Sequence, residues 1–356
     1  MIKDFGILLS VLLCITLGGC GQKPGVMFAP PAAPLVWPGG GEPARIRYVG
    51  QLATNEDLKP GRSSLDSISQ ALFGKADIHS MLTAFAVCTD GADRVFVADS
   101  NAQLIHVFDL KSRRYAQWKP SKKQPQFSQP VGITWDPSGR LLVSDSVAGT
   151  IFVFDTQGRY TGQIGRGLLK RPCGLAVHPM TGRIYVADSV AHQVVVLSPA
   201  GDEAMRIGHR GTAPGEFNFP INLAIDRQGR LYVVDALNFR VQQFAPDLKT
   251  IKLIGEKGDV PGSFAQPKGV ALDSEDHLYV LDNQFEAVQI FDPAGQLLLD
   301  FGKEGHAAGE FWLPTGIFID ARNRIWVADS YNRRVQIFDY LASPPAAETP
   351  LPEAKP

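Results

Sequence analysis

Six aspartates recur along this chain, Asp99, Asp145, Asp188, Asp235, Asp282 and Asp329, at spacings of 46, 43, 47, 47 and 47 residues. Carboxylates repeated at one interval could meet in a ring and hold a metal ion. They could equally accept hydrogen bonds from backbone amides in Asx-type turns, and four of the six are followed by serine. A reactive site breaks the symmetry of its scaffold, whereas these residues obey it. They are therefore expected to form a structural turn ring.

Histidines are the other source of metal chemistry. His178 and His277 fall in or beside turns at one end of the repeating units, His106 within a strand and His79 in a non-repeating insertion. His192, His209 and His306 fall on connections at the other end, and His192 and His209 belong to neighbouring segments that could approach each other. No HxH or HxxxH spacing is present, and nothing marks a third ligand. No metal is expected; zinc at His192 and His209 is the weak alternative. Nucleophilic catalysis finds no support either, because no Gly-x-Ser-x-Gly elbow or paired base is visible.

The elements around the aspartates repeat with them. RIWVADSYNRRVQIFD from Arg324 has relatives beginning at Arg94, Arg140, Arg183, Arg230 and His277. Each is an alternating apolar strand, an Asp turn and a second strand rich in Val, Ile and Phe. Upstream lies a strand opened by Pro-x-Gly or a variant: QPVGITW, RPCGLAV, FPINLAI, QPKGVAL and LPTGIFI. Downstream a shorter strand ends near Ile-Gly or Phe-Gly, as in GRYTGQIG and GQLLLDFG. Four antiparallel strands repeated six times predict an all-β, six-bladed propeller.

These motifs, with GHRGTAPGEFNFP, GEKGDVPGSFAQP and GKEGHAAGEFWLP between units, closely resemble the NHL-repeat family over Ala84 to Tyr340. The first unit departs, with LTAFAV in place of Pro-x-Gly and a CTDGAD turn. The resemblance implies the propeller fold but not one function, since such propellers bind protein, bind RNA or catalyse. It brings two metal precedents: zinc held by propeller histidines in amidating lyases, and calcium held by acidic and amide side chains in lactonase channels. Only Asn222, at the glycine of the fourth Pro-x-Gly, hints at a polar channel residue. The expectation is no cofactor, with zinc or calcium as the alternative.

The sixth unit stops at Tyr340 without an outer strand, and RIRYVG at Arg45 to Gly50 has the missing pattern. Residues 45–340 are thus expected to form the ring, with 45–50 closing blade six and removing an exposed edge. Residues 51–80 form an insertion, in which SSLDSISQALFG places Leu65, Ile68, Leu72 and Phe73 at helical spacing.

The ends carry a different message. An apolar run from Phe5 to Leu17 is too short to cross a bilayer but has the length of a signal-peptide core. It closes on Leu17-Gly18-Gly19-Cys20, which resembles the lipobox of bacterial lipoproteins. That resemblance implies a signal peptide over 1–19, acylation at Cys20 and a membrane attachment. Gly21 resembles the pattern sent to an outer membrane, facing the periplasm in a cell with two membranes. Residues 20–44 are rich in Pro and Gly and read as a linker with neither helix nor ladder; 341–356 read as a disordered tail.

Composition excludes little except polyanion binding: 20 % of residues are charged and the formal net charge is −1. Export and this balance argue against nucleic acid, although Arg171, Arg240, Lys268, Arg333 and Arg334 could share a face. Beyond Cys14 and Cys20, Cys88 and Cys173 are expected as free, buried thiols.

The turns after the aspartates carry Val147, Val190, Leu237 and Tyr331, with Phe239 and Phe285 nearby. Six apolar groups around one rim, beside Arg240, Arg333 and Arg334, have the chemistry of interface anchors. The functional expectation is an exported, lipid-anchored protein-binding scaffold at the cell envelope, with a protein or peptide partner. The alternative is a propeller enzyme of the lyase or lactonase kind, with a metal in or near the channel.

Overall fold

The computed structural model describes residues 25–28, 31, 33–59 and 77–342. Cys20, the signal sequence, most of the tail and the helical pattern from Ser63 to Gly74 lie outside the described residues.

Alternating apolar strands separated by Asp/Gly turns fold into six antiparallel sheets arranged as blades. Blade three is typical: Pro172–Val177, Ile184–Asp188, Gln193–Leu197 and Glu203–Ile207, paired in sequence order. The middle strands are buried on both faces, so they read as continuous Val, Ile and Leu, and the outer strand is largely exposed. Apolar clusters fill the spaces between consecutive blades; one joins Leu142 and Ile151 of blade two to Val186 and Val195 of blade three.

The first strands of the blades, Ala84–Thr89, Pro130–Trp135, Pro172–Val177, Pro220–Ile225, Pro267–Leu272 and Gly316–Ile319, line the centre. Each touches the next around the ring, and the last touches the first. This close approach explains the glycine of Pro-x-Gly. A Cβ on Gly132 would lie 2.3 Å from the Cys173 carbonyl oxygen, and one on Gly174 would lie 2.7 Å from Asn222 Cα. Blade one lacks the motif yet builds the same sheet, and Asp90 of its CTDGAD turn accepts from the Ala92 and Arg94 amides at 3.0 and 3.1 Å.

The ring closes as the RIRYVG pattern predicts. Ile46–Leu52 pairs with Arg334–Tyr340, from Ile46 opposite Tyr340 to Leu52 opposite Val335, with one bulge at Tyr48/Gly50. The strand thus runs two residues beyond the expected Gly50. The Pro/Gly-rich segment before it also differs from the expectation of no ladder. Val36–Trp37 adds a fifth strand to this sheet, and Trp37 sits 5.8 Å from the rings of both Phe301 and Phe338. Packing a half-buried indole against two phenylalanines outweighs the weak strand preference of the flanking glycines and prolines.

The described flanks of the insertion are fastened to the ring. Thr54 caps a 3-10 turn at Asn55–Leu58 and bridges to Ser80, while Leu58 and Met81 are fully buried.

Candidate functional site

All six turn aspartates are fully buried, and each ties the segment leading into its blade to that blade's own sheet. Asp188 accepts from the Lys170 and Arg171 amides, both at 2.8 Å. Asp145 accepts from Ser128 N at 2.6 Å and Ala148 N at 2.8 Å. Asp282 accepts from Ala265 N at 2.9 Å and Gln284 N at 3.0 Å. Asp99, Asp235 and Asp329 add side-chain partners. His106 Nε2 lies 3.1 Å from Asp99, Arg240 Nε donates to Asp235 at 2.9 Å, and Arg334 Nε to Asp329 at 2.8 Å. Burial acts to raise the Asp99 carboxyl, but hydrogen bonds from His106 and from the Ala102 and Leu82 amides outweigh it and hold the pKa low.

Arg240 and Arg334 were expected on the binding rim; the structure buries both. Beyond its aspartate, Arg240 donates to the carbonyls of Ala213 and Glu216, and Arg334 to those of His306, Ala307 and Glu310. These guanidiniums fasten the long inter-blade loops and are largely withdrawn from solvent. Gln242 and Gln336 hold the same loops, and Gln289 the corresponding loop before blade five; they take the amides of Gly215, Gly309 and Gly262 at 2.9, 2.9 and 2.7 Å. Sequence reasoning missed these glutamines, although their place in the repeat marks them.

The rest of the rim divides. Val147 is 62 % exposed, Val190 43 %, Leu237 51 % and Tyr331 56 %, and Arg333 is also exposed. Phe239 and Phe285 are half-buried: Phe239 packs on the core between blades four and five and lies under Lys257 Nζ at 5.1 Å. Trp312, which the sequence reading passed over, is 40 % exposed and meets Tyr331 at 5.3 Å and His306 at 4.9 Å.

His192 and His209 are engaged separately. His192 Nδ1 accepts from Phe219 N at 3.2 Å, whereas exposed His209 pairs with Glu216 at 3.2 Å. His192 occupies the left-handed position that Gln103, Phe239, Glu286 and Arg333 hold in other blades, so it too follows the repeat. Among the described residues no three His, Cys, Asp or Glu side chains gather in a metal-holding arrangement.

The ring encloses a cavity of about 480 Å³. Phe85, Val131, Cys173, Ile221, Lys268 and Thr315 line it, one from the same position of each blade, the x of Pro-x-Gly or its counterpart. Reading that position across the repeats would have found them. Asn222 also lines it, as expected for a channel residue, and its Oδ1 accepts from Leu223 N at 2.8 Å. Cys88 and Cys173 are free; Cys88 is buried, but Cys173 is only half-buried because it faces the cavity. Burial raises the Cys173 thiol, partly offset by a hydrogen bond to Ser189 and the charge of Arg171.

Comparison with known proteins agrees with this architecture. A family model described as a 6-bladed beta-propeller (DUF5128) matches residues 175–266, and an NHL-repeat model matches 311–338. No curated protein matches the sequence. Among solved structures, an auxiliary nutrient binding protein from Bacteroides thetaiotaomicron superposes with TM-score 0.57 at 15% identity, over 73% of this chain and 69% of that one. A streptogramin B lyase gives TM-score 0.55 at 11% identity, covering 74% and 96%. Virginiamycin B lyase from Staphylococcus aureus gives 0.53 at 13%, covering 73% and 96%. At such identities the likeness concerns the fold alone. In architecture and repeat, this chain is a six-bladed β-propeller with an NHL repeat in its sixth blade.

Proposed function

We propose that this protein is an exported, lipid-anchored binding scaffold of the cell envelope, which engages a protein or peptide partner through the rim of its loop face. The observation that carries the reading is the set of exposed apolar groups on the tips of blades two, three, four and six, Val147, Val190, Leu237 and Tyr331. Side chains of this kind in water favour burial against a partner. The buried aspartates beneath them, joined by arginines or glutamines in blades four to six, brace the turns of the rim, so binding would cost little ordering entropy. The Leu-Gly-Gly-Cys string supports export and attachment, which would hold the rim at a membrane surface.

Cross-linking in cells from a photoreactive residue at position 237, followed by capture, tests the interface. Leu237→Ser combined with Tyr331→Ser should keep the melting temperature and abolish capture of the partner that the parent retains. An unchanged capture would sink the rim reading. Cys20→Ala should block fatty-acid labelling; a parent chain that takes up no label would refute the anchor. Stoichiometric zinc or calcium in the purified protein would favour the enzyme alternative.

A further inference from the structure

The six side chains contributed to the cavity by the x position are Phe85, Val131, Cys173, Ile221, Lys268 and Thr315, and only Lys268 is charged. Arg171, two residues before Cys173, reaches the same end of the cavity. No carboxylate lines the cavity. Among the described residues, neither the Lys268 ammonium nor the Arg171 guanidinium has a hydrogen bond or an ion pair within 4.0 Å. The nearby turn carboxylates Asp188 and Asp282 are committed to backbone amides. The hydroxyls of Thr315 and Ser146 at this end are satisfied within the protein: Thr315 donates to the Phe85 carbonyl at 2.7 Å, and Ser146 to Gln129 at 2.9 Å.

Below the mouth the walls change character. Two positions along each first strand come Val87, Ile133, Leu175, Leu223, Val270 and Ile317, all lining the cavity. A first strand of six residues, such as Pro267–Leu272, spans about 17 Å at ~3.3 Å per residue. The cavity therefore joins two unpaired cations at one end to a mainly aliphatic tube, interrupted by Thr134 and Asn222.

We propose that the channel binds a small amphiphilic carboxylate, a medium-chain fatty acid, with its head at Lys268 and Arg171 and its chain between the first strands. Two cationic donors give the carboxylate charge-assisted hydrogen bonds that the protein does not already supply. Burial holds the Lys268 pKa below that of a free lysine, with the charges of Cys173 and Asp282 acting the other way, so an entering anion relieves a desolvated charge. The aliphatic walls favour an apolar tail over a bare anion, and the volume lies in the range of small-ligand pockets. This site is separate from the rim and does not rest on the interface reading.

Cys173 lines the same end of the cavity as the two cations and reports occupancy directly. The full chain in lipid nanodiscs would be treated with methyl methanethiosulfonate, and Cys173 modification followed by mass spectrometry. Decanoate should slow the reaction about tenfold, the scale of one good charged contact, whereas 1-decanol and inorganic phosphate should each slow it less than about twofold. Lys268→Met with Arg171→Ala should remove the decanoate effect at an unchanged melting temperature; Arg171→Ala alone, at the exposed mouth, should weaken it if the double variant fails to fold. Equal protection by decanol would mean that the cations select nothing, and equal protection by phosphate that the tube does not contribute. Either result, full protection in the variants, or no protection at saturating decanoate would overturn the proposal.

Discussion

His277 Nδ1 lies 2.9 Å from the Asp273 carboxylate, where three other blades place an arginine beside the aspartate of the same turn. Arg94 pairs with Asp90 at 2.7 Å, Arg140 with Asp136 at 2.6 Å, and Arg230 with Asp226. The Asp273 carboxylate also accepts from the His277 amide at 3.0 Å and from the Tyr279 hydroxyl at 3.0 Å. Blade five therefore closes its first hairpin with a titratable cation.

That substitution makes stability depend on pH. The hydrogen bond to Asp273 raises the His277 pKa; burial opposes it, Glu275 adds to it, and Arg45 opposes it. Its contribution is fully present below the unfolded-state histidine pKa and is lost as pH rises through the raised folded-state value. Between about pH 5.5 and about pH 8.5, the parent should lose roughly 1–3 °C of melting temperature relative to His277→Arg, which stays charged throughout. Parallel profiles for the two proteins would exclude this role.

The turn aspartates should differ in what their removal costs. Asp235→Ala leaves the buried Arg240 guanidinium without its counter-ion, a loss of about 3–5 kcal/mol. Asp188→Ala frees only two backbone amides and should cost about 1–3 kcal/mol. Urea midpoints measured for both would show the order, and the reverse order would contradict the pairing.

Closure by the amino-terminal strands predicts a graded effect. Trp37→Ala removes an indole packed on Phe301 and Phe338 and should cost about 2 kcal/mol. Deleting residues through Leu52 should cost several kcal/mol more, because the Arg334–Tyr340 strand then loses its ladder partner. Denaturant unfolding of both variants reads this, and a deletion that melts like the parent would refute closure.

Glycine at the third position of Pro-x-Gly is needed for space and not for backbone freedom. Gly132→Ala would force a methyl to within 2.3 Å of the Cys173 carbonyl and should destabilise by about 1–3 kcal/mol. Gly39→Ala, with nothing within 4 Å of its added Cβ, should stay within about 0.5 kcal/mol. Equal melting temperatures for the two variants would show that neighbouring first strands are looser than they appear.

What the sequence determined by itself is the part written in local, repeated chemistry. Short apolar runs in RIWVADSYNRRVQIFD and its relatives specify strands that are buried on both faces, and the Asp and Gly turns specify hairpins. Six copies at nearly one spacing imply six blades, and a sixth copy without its outer strand implies a closing partner. Only the tertiary structure decided where each side chain ends. Arg333 and Arg334 are adjacent in sequence, yet one is exposed and the other is buried against Asp329, because Arg333 holds the left-handed position of the turn while Arg334 opens the strand, where the folded loop supplies carbonyls for it. Trp37 joins a sheet despite its Pro/Gly-rich surroundings because Phe301 and Phe338, far away in sequence, offer it an apolar surface to pack against. Lys268 looked like one basic residue among several until the ring brought it to the mouth of a cavity with no acid in its walls. Periodicity within a blade is local information, whereas the centre of a propeller exists only once all six blades have met.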